Sequence, residues 1–296
     1  MRGFLKFLGI LVAVLVVIVL VVGGWLAWMI RLPWPQTQGE LSLPGLQAPV
    51  TVMRDEWGIP HIYASTSHDL FMAQGFVHAQ DRFWQMEFWR RIGSGRLSEI
   101  LGKATLEDDK FIRTVGWHRT AAQEVGLLDP ESRLALEAYA QGVNAYIEAY
   151  RGRWGLEFAL LRLQGTRFEP EPWTPLHTLT WAKVMAWDLG GNRDSELLRA
   201  QIAARLGQSA LGELVLPYPA DRPVIVPHPV AQASLDALPS AQAMDWGLAL
   251  GRGMDIGSNN WVVSGSRTES GMPLLANDPH LGIQMPSIWY EIGLHC

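Results

Sequence analysis

The hydrophobic pattern begins with an apolar run over residues 8–30 that contains no charged side chain. Arg2 and Lys6 precede this run and Arg31 follows it. About 20 apolar residues cross the hydrocarbon core of a bilayer, so the run predicts a membrane-spanning helix. A cleaved signal peptide, with an apolar region of about 7–15 residues, is the alternative. Because positive charges stay in the cytoplasm, we expect an inner-membrane anchor over residues 1–31 and export of the rest to the periplasm or beyond.

The pattern changes twice after the apolar run. Residues 32–49 contain four prolines and no helical period, which predicts a tether that lifts the following domain off the membrane. "VTVMRD" and "IPHIYA" then alternate apolar and polar residues on either side of "EWG". This arrangement predicts a β-hairpin with Gly58 in the tight turn, where the domain core begins.

Two long helices are predicted in the next hundred residues. The first begins with Ser65 or Ser67 as its cap and ends near Gly93 and Gly95, and we expect His78 and Arg82 to form a pair on its surface. The second begins after Asp129. Its expected apolar face comprises Leu134, Leu136, Tyr139, Val143, Tyr146 and Ile147.

The second half of the chain is less regular. Thr174 and Pro175 mark a helix start, Gly190 and Gly191 predict a break, and the helix resumes near Asp194. Residues 207–257 show little periodicity and indicate a linker. Three strands are expected after it, in "NNWVVSGS", "MPLLANDPH" and "SIWYEIGLHC". A sheet that stops mid-pattern is an improbable domain end, so we expect the chain to be part of a longer protein.

Composition narrows the function classes. The 296 residues are 48% hydrophobic, which suffices for a substantial core. A net charge of −5 without a basic stripe argues against nucleic-acid binding. Cys296 is the only cysteine, so an intramolecular disulfide and a cysteine-based zinc site are excluded.

Ser258, in "DIGSNNWVVSGS", is the principal candidate for chemistry. No G-x-S-x-G elbow surrounds it. If the peptide bond between Gly257 and Ser258 were cut, the new α-amine would lie near the serine hydroxyl. Such an amine titrates at about 7.7–8.0 and would suit a general base for the same residue's nucleophile. The other interpretation of Gly-Ser-Asn-Asn is an ordinary β-turn that opens a hairpin, and these residues alone leave both open.

Four segments taken together favour the interpretation of Ser258 as a nucleophile. "VTVMRDEWGIPHIYA", "AQGFVHAQDRFWQMEFWRRIGSGRLSEILG", "GNRDSELLRA" and "GSNNWVVSGSRTESGMPLLANDPHLG" resemble, in this order, the penicillin acylase family of N-terminal nucleophile hydrolases. The resemblance implies an α+β fold, the αββα sandwich, truncated early in its second subunit. It also implies a precursor that cuts itself into α and β subunits. The α-subunit region would be residues 50–206, the spacer 207–257 and the start of the β-subunit 258–296.

The resemblance assigns roles to residues around the cut. Ser258 corresponds to the nucleophile and Gly257 to the residue that departs. His280, in "NDPHL", would orient or polarise the reacting groups, although a lone histidine is usually structural. Asn277 would hold the loop, or is an ordinary turn asparagine.

Further assignments concern the acyl pocket and a metal. Met185, Trp187 and Leu189 are candidates for the pocket lining, and core packing is the alternative. Glu196 would contribute to a structural calcium site, although a glutamate at such a position is ordinarily a solvated or dipole-compensating helix carboxylate. Calcium takes six to eight oxygen ligands, and the resemblance implies that the others, like the oxyanion-hole donors, lie beyond Cys296.

The expected function is therefore hydrolysis of the amide bond of a small acylated amine, without an organic cofactor, by the full protein and not by this part alone. A β-lactam side chain is one substrate class. An N-acyl homoserine lactone or an acylated peptide is the alternative within the enzyme class. A membrane-anchored binding protein on a degenerate acylase scaffold is the alternative outside it.

Overall fold

The computed structural model describes residues 2–166, 168–190, 192–214 and 257–296. Within these, the helices in chain order are α1 Arg2–Arg31, α2 Ser67–Ser94, α3 Ser98–Leu101, α4 Leu106–Val115, α5 Trp117–Val125, α6 Pro130–Ala149, α7 Leu156–Leu163, α8 Pro175–Leu189, α9 Asn192–Leu206 and α10 Gln208–Leu214. The strands are β1 Thr51–Arg54, β2 Pro60–Tyr63, β3 Gly257–Val263, β4 Leu274–His280 and β5 Gly293–His295.

The chain divides into two compact units. The first comprises Met1–Val184 with Trp289–Cys296, and the second comprises Met185–Ile288. Most of the predicted spacer, residues 215–256, lies outside the described residues. Within its first part, residues Gln208–Leu214 form α10, a short helix that the weak periodicity did not predict.

Helix α1 confirms the helical interpretation of the N-terminal apolar run. Its segment Lys6–Arg31 contains an 18-residue window with a mean hydropathy of 3.2, in which no residue is buried within the protein. The segment is long and apolar enough to cross a membrane, and a signal sequence near the N-terminus would meet the same criteria. The helix is therefore compatible with both alternatives that the sequence left open.

The proline-rich segment packs against the protein along its second half and does not hang free as a tether. The backbone N–H groups of Gln47 and Ala48 each donate to the Asp69 carboxylate at 2.9 Å. Leu43 packs against the main hydrophobic cluster. Asp69 is fully buried. Burial alone would raise the pKa of Asp69, but the hydrogen bonds from Gln47, His68, Ala48 and Thr66 lower it overall.

Strands β1 and β2 form the predicted antiparallel hairpin, in which Thr51 faces Tyr63. Gly58 occupies the turn with φ of 79°, a left-handed conformation that glycine adopts without steric strain. The third predicted strand is shorter than expected and does not extend a sheet with the two strands before it. It forms β5, which pairs in parallel with β2, so the first sheet has the order β1-β2-β5.

Helices α2 and α6 pack against each other as the centre of the first unit. A Cβ on Gly75 would overlap the Tyr139 carbonyl oxygen, and one on Gly142 would overlap that of Met72. The two glycines therefore allow the helix backbones to approach closely. The packed cluster contains the buried side chains Phe76, Ala79, Phe83, Ala140, Val143, Tyr146, Ile147, Tyr150, Trp154, Phe158 and Trp173.

The helix ends largely follow the predicted signals. Asp129 caps α6 by accepting from the backbone N–H groups of residues 131 and 132, and Gly95 ends α2 in the left-handed conformation. The cap of α2 is Thr66 and not Ser65 or Ser67, because the Thr66 hydroxyl accepts from the Asp69 N–H. On α6, Leu134 is 64% exposed, so the expected apolar face begins further along the helix.

Helix α8 begins at Pro175 as predicted, and His177 and Thr180 in its first turns are buried. The His177 Nδ1 accepts from the Thr174 N–H at 3.0 Å. The Thr180 hydroxyl donates to the Leu176 carbonyl at 2.7 Å and lies 3.2 Å from the His118 Nδ1. Burial lowers the pKa of His177 to about 3, and the nearby Arg90 cation acts in the same direction.

We expect the free energy of unfolding to fall as the pH decreases from 6.5 towards 4. The folded protein keeps His177 neutral, whereas the unfolded chain takes up a proton near pH 6.5, so protons favour the unfolded state in this range. The effect reaches at most about 1.4 kcal/mol per pH unit for this histidine. Urea unfolding of the wild type and of His177→Asn, whose Oδ1 can replace the Nδ1 acceptor, measures it. The variant should have the shallower pH slope, and equal slopes would contradict this assignment.

Candidate active site

Ser258 lies in a regular strand near the start of β3. Strand β3 pairs with β4 in antiparallel register, so that Gly257 faces His280, Ser258 faces Pro279 and Asn260 faces Asn277. The structure therefore places Gly257 and Ser258 in an extended ladder, not in the β-turn that was the ordinary interpretation of Gly-Ser-Asn-Asn.

The register decides which side chains share a face of this hairpin. Side chains directly opposite each other share a face, and the face alternates along each strand. Ser258 and Asn277 consequently project from the same face, two positions apart along the ladder. His280 projects from the other face, opposite Gly257, so in the uncut chain the hairpin does not bring the His280 and Ser258 side chains together.

His280 has a partner that the sequence analysis did not single out. Its Nε2 lies 2.9 Å from the Asp278 Oδ2, and both side chains are substantially exposed. Residues two apart in a strand share a face, so the spacing in "NDPH" was the available signal. A carboxylate at this distance can select the tautomer of the imidazole and fix the ring orientation.

The three candidates for the pocket lining lie in the last turns of α8. Met185 and Leu189 are four residues apart and share one helix face, whereas Trp187 projects from the opposite side. Met185 and Trp187 are half-buried and Leu189 is exposed. The helix therefore does not present all three side chains as one wall.

Glu196 is an exposed residue of α9. In the described ranges, histidine, cysteine, aspartate and glutamate side chains form no group of three or more that could hold a metal ion. One exposed carboxylate does not satisfy a cation that takes six to eight oxygens. The described part of the chain therefore does not form a calcium site.

A separate polar cluster lies in the first unit and joins segments that are distant in the chain. Asp81 accepts from both terminal nitrogens of Arg54 at 2.8 and 2.9 Å and from the Tyr290 hydroxyl at 2.5 Å. The His78 Nδ1 lies 3.0 Å from the hydroxyl of Tyr139, a partner on α6 that the expected surface pair with Arg82 did not include. Burial lowers the pKa of His78 to about 4, so this histidine is neutral at physiological pH. The cluster connects Tyr290, which follows Ser258, to residues that precede it.

Comparison with known proteins matches the part of the chain on which the family resemblance is based. Residues 49–296 match the family model described as penicillin amidase. The chain belongs to the penicillin amidase family. The matched range excludes α1 and most of the proline-rich segment, in agreement with a resemblance that begins near Val50.

Several curated proteins are similar over most of the chain. Penicillin acylase 2 proenzyme of Pseudomonas sp. (strain SE83) is 36% identical over 273 residues, which cover 88% of this chain and 34% of that protein. Acyl-homoserine lactone acylase QuiP of Pseudomonas aeruginosa is 31% identical over 88% of this chain and 31% of that protein. Penicillin G acylase of Escherichia coli is 28% identical over 86% of this chain and 36% of that protein.

The chain thus spans about a third of the length of these relatives, with coverage of 31% to 36%. Among solved structures, the thermostable penicillin G acylase from Alcaligenes faecalis is similar with a TM-score of 0.48 and 27% identity. That similarity covers 62% of this chain and 98% of the other.

Proposed function

We propose that this chain is the first part of an exported, self-cleaving amidohydrolase that releases an amine from an acylated amine. The observation that supports this proposal most is the position of Ser258, directly after Gly257 at the beginning of a strand, inside the range that matches the penicillin amidase family. The complete protein would adopt the αββα sandwich, to which the described helices and β-hairpins would contribute.

The first proposed step is cleavage of the precursor. The Ser258 Oγ attacks the Gly257 carbonyl carbon, the bond from that carbon to the Ser258 nitrogen breaks, and the nitrogen receives the hydroxyl proton. Water then hydrolyses the resulting ester, which frees the Gly257 carboxylate and restores the serine hydroxyl. The absence of a side chain on Gly257 gives the hydroxyl access to the carbonyl carbon.

The second step uses the amine that cleavage creates. The free α-amine of Ser258 accepts the hydroxyl proton while Oγ attacks the substrate's amide carbon. The proton passes to the departing amine, and water hydrolyses the acyl-enzyme. Donors that stabilise the oxyanion are required for acyl transfer of this kind, and we place them in the part of the protein beyond this chain.

His280 and Asn277 would act as positioning residues. Asn277 shares the Ser258 face of the hairpin, where its amide can hold the start of β3. His280 faces Gly257, so departure of Gly257 removes the residue opposite this imidazole and gives the ring space to turn towards the new terminus. Asp278, 2.9 Å from the ring, would then set its tautomer.

The remaining assignments follow the same proposal. Met185 and Leu189, which share a face of α8, would contact the acyl group together with residues beyond this chain, and Trp187 would pack behind them. Glu196 would act as a calcium ligand only with oxygens supplied from elsewhere in the protein. Helix α1 would anchor the protein in the inner membrane, with the catalytic part in the periplasm.

The proposal allows two substrate classes, because the relatives include penicillin acylases and acyl-homoserine lactone acylases. A panel assay of the full-length gene product decides between them. Phenylacetylated amines and β-lactams report one class, and homoserine lactones with acyl chains of 4 to 12 carbons report the other class. We expect amine release from at least one class. Release from neither, by a protein shown to be cleaved, would contradict the proposed activity.

A further inference from the structure

Two tryptophans in the first unit expose large apolar surfaces to solvent. Trp34, just after α1, is 60% exposed, and Trp57, in the turn of the β1–β2 hairpin, is 81% exposed. Tryptophan combines a large apolar ring with a polar N–H group and is enriched where protein meets the interface of a bilayer. Neither residue belongs to the candidate active site.

Trp34 lies at the C-terminal end of the predicted membrane span, next to Arg31. Its backbone N–H donates to the Arg31 carbonyl at 3.1 Å, and the Arg31 guanidinium carbon lies 5.9 Å from the centre of its ring. The span itself ends at Arg31. Trp34 therefore lies at the level of the headgroups if α1 crosses a membrane.

Trp57 is connected to the same end of the molecule through Gln80. This buried side chain donates to the Gln36 carbonyl at 3.3 Å and accepts from Arg54 at 3.5 Å. Arg54 in turn donates to the Gly58 carbonyl at 3.1 Å, inside the hairpin turn. Trp57 is thus separated from the segment that leaves α1 by only a short series of hydrogen bonds.

The length of the intervening chain limits how far this turn can stand from the membrane. Gln36 is the fifth residue after Arg31, and a fully extended chain spans at most about 3.6 Å per residue, so the separation is at most about 18 Å. The first residues after α1 shorten it, because the Trp34 N–H is bonded back to Arg31. The hairpin turn is therefore kept close to the membrane surface.

We propose that the β1–β2 turn docks on the membrane interface, with Trp57 and Trp34 as its two contacts. The inference rests on the proposed anchoring of α1. The tether predicted over residues 32–49 would hold the domain away from the bilayer. In the present proposal the domain lies against the bilayer, and the β1–β2 hairpin makes the contact.

The charges of the turn indicate which lipid surface fits. Asp55 is occupied within the turn, since its Oδ1 accepts from the N–H groups of Trp57 and Ile59 at 2.9 Å each. Glu56 is exposed beside Trp57. Because the exposed charge is negative, attraction to anionic lipids is not the basis of the contact, and a zwitterionic surface is the expected partner.

Spin-label depth measurements test the contact. The full-length gene product, with Cys296 and any later cysteine replaced by serine, is reconstituted in phosphatidylcholine vesicles and labelled at one introduced cysteine. The sites are Glu56→Cys, an exposed position of the turn that leaves Trp57 in place, and, as a matched control, Leu127→Cys, which lies between α5 and α6 at a position 82% exposed. Val17→Cys, in the middle of α1, reports on the anchor. Collision with oxygen, which concentrates in lipid, is compared with collision with a water-soluble nickel chelate.

We expect the ratio of oxygen to nickel collisions to be at least about threefold higher at position 56 than at 127, because the interface excludes the chelate. Equal ratios would overturn the inference, and so would a label at 56 shielded from both reagents, which would show that protein covers the turn. Lipid exposure at position 17 together with water exposure at 56 would overturn the docking and leave the anchor intact. Water exposure at position 17 would overturn the anchor and the docking together, whatever the outcome for catalysis.

Discussion

The Ser258→Ala protein is expected to remain a single uncut chain and to lose amide hydrolysis by at least about 10³-fold. In the proposed mechanism the substitution removes the hydroxyl that attacks the Gly257 carbonyl, so we expect no release of the α-amine. It would also remove the nucleophile of the second reaction. One change is therefore expected to eliminate both maturation and turnover. Denaturing electrophoresis and the acyl-substrate panel measure the two effects on the same preparation.

Two other variants make this result specific. Ser266→Ala alters an exposed serine of the same hairpin, in the turn between β3 and β4, and should be cut and active like the wild type. His280→Gln should still be cut and should retain measurable hydrolysis, since we assign this residue a positioning role. A Ser258→Ala protein that is cut between residues 257 and 258 would show that another group performs the cleavage.

The second large effect concerns stability. We expect Glu87→Ala to lower the free energy of unfolding by about 3–5 kcal/mol, since removal of one partner leaves buried charge without compensation. The Glu87 carboxylate is fully buried and pairs with Arg90 and Arg91, whose side chains are 4% and 5% exposed. Both guanidiniums would remain in the core without it, although Arg91 would keep its pair with Glu99. Urea unfolding followed by circular dichroism provides the measurement.

The loss should extend to the segment that leads into α8. Arg90 also donates to the Glu171 carbonyl at 2.9 Å, and the Arg91 guanidinium carbon lies 4.3 Å from the centre of the Phe168 ring. The control is Glu107→Ala, which removes an exposed pair with Lys110 at the same i,i+3 spacing and should change stability by less than about 0.5 kcal/mol. Equal changes in the free energy of unfolding for the two substitutions would show that the buried carboxylate contributes no more to stability than an exposed one.

Features with strong local signals were predictable from the sequence. The apolar run forms α1, "EWG" forms the hairpin turn, and α6 begins at its aspartate cap. In each case the residues that specify the conformation lie within a few positions of each other. The short helices α4, α5 and α7 were not predicted, since eight to ten residues give little more than two turns of periodicity.

Long-range pairing was the part that the sequence could not reveal. Strand β5 pairs with β2 and not with its neighbours in the chain, although "SIWYEIGLHC" follows β4 directly. The Arg54, Asp81 and Tyr290 cluster joins residues up to 236 positions apart, which no local pattern encodes.

The candidate site shows the same division. Its residues could be named by resemblance, and the family match over residues 49–296 supports that resemblance. The arrangement of these residues could not be predicted from the sequence, because it depends on strand register. A shift of one residue between β3 and β4 would exchange the faces on which His280 and Asn277 project. Similarly, the three pocket candidates were chosen by position in the chain, and the helix separates Trp187 from Met185 and Leu189.

The most direct test of the central claim is intact-mass analysis with N-terminal sequencing of the full-length gene product. We predict two fragments, the second of which begins Ser-Asn-Asn-Trp at Ser258. That result would establish the free α-amine on which the proposed mechanism depends. A single chain with the bond between Gly257 and Ser258 intact would contradict the mechanism and favour a binding protein built on an acylase scaffold.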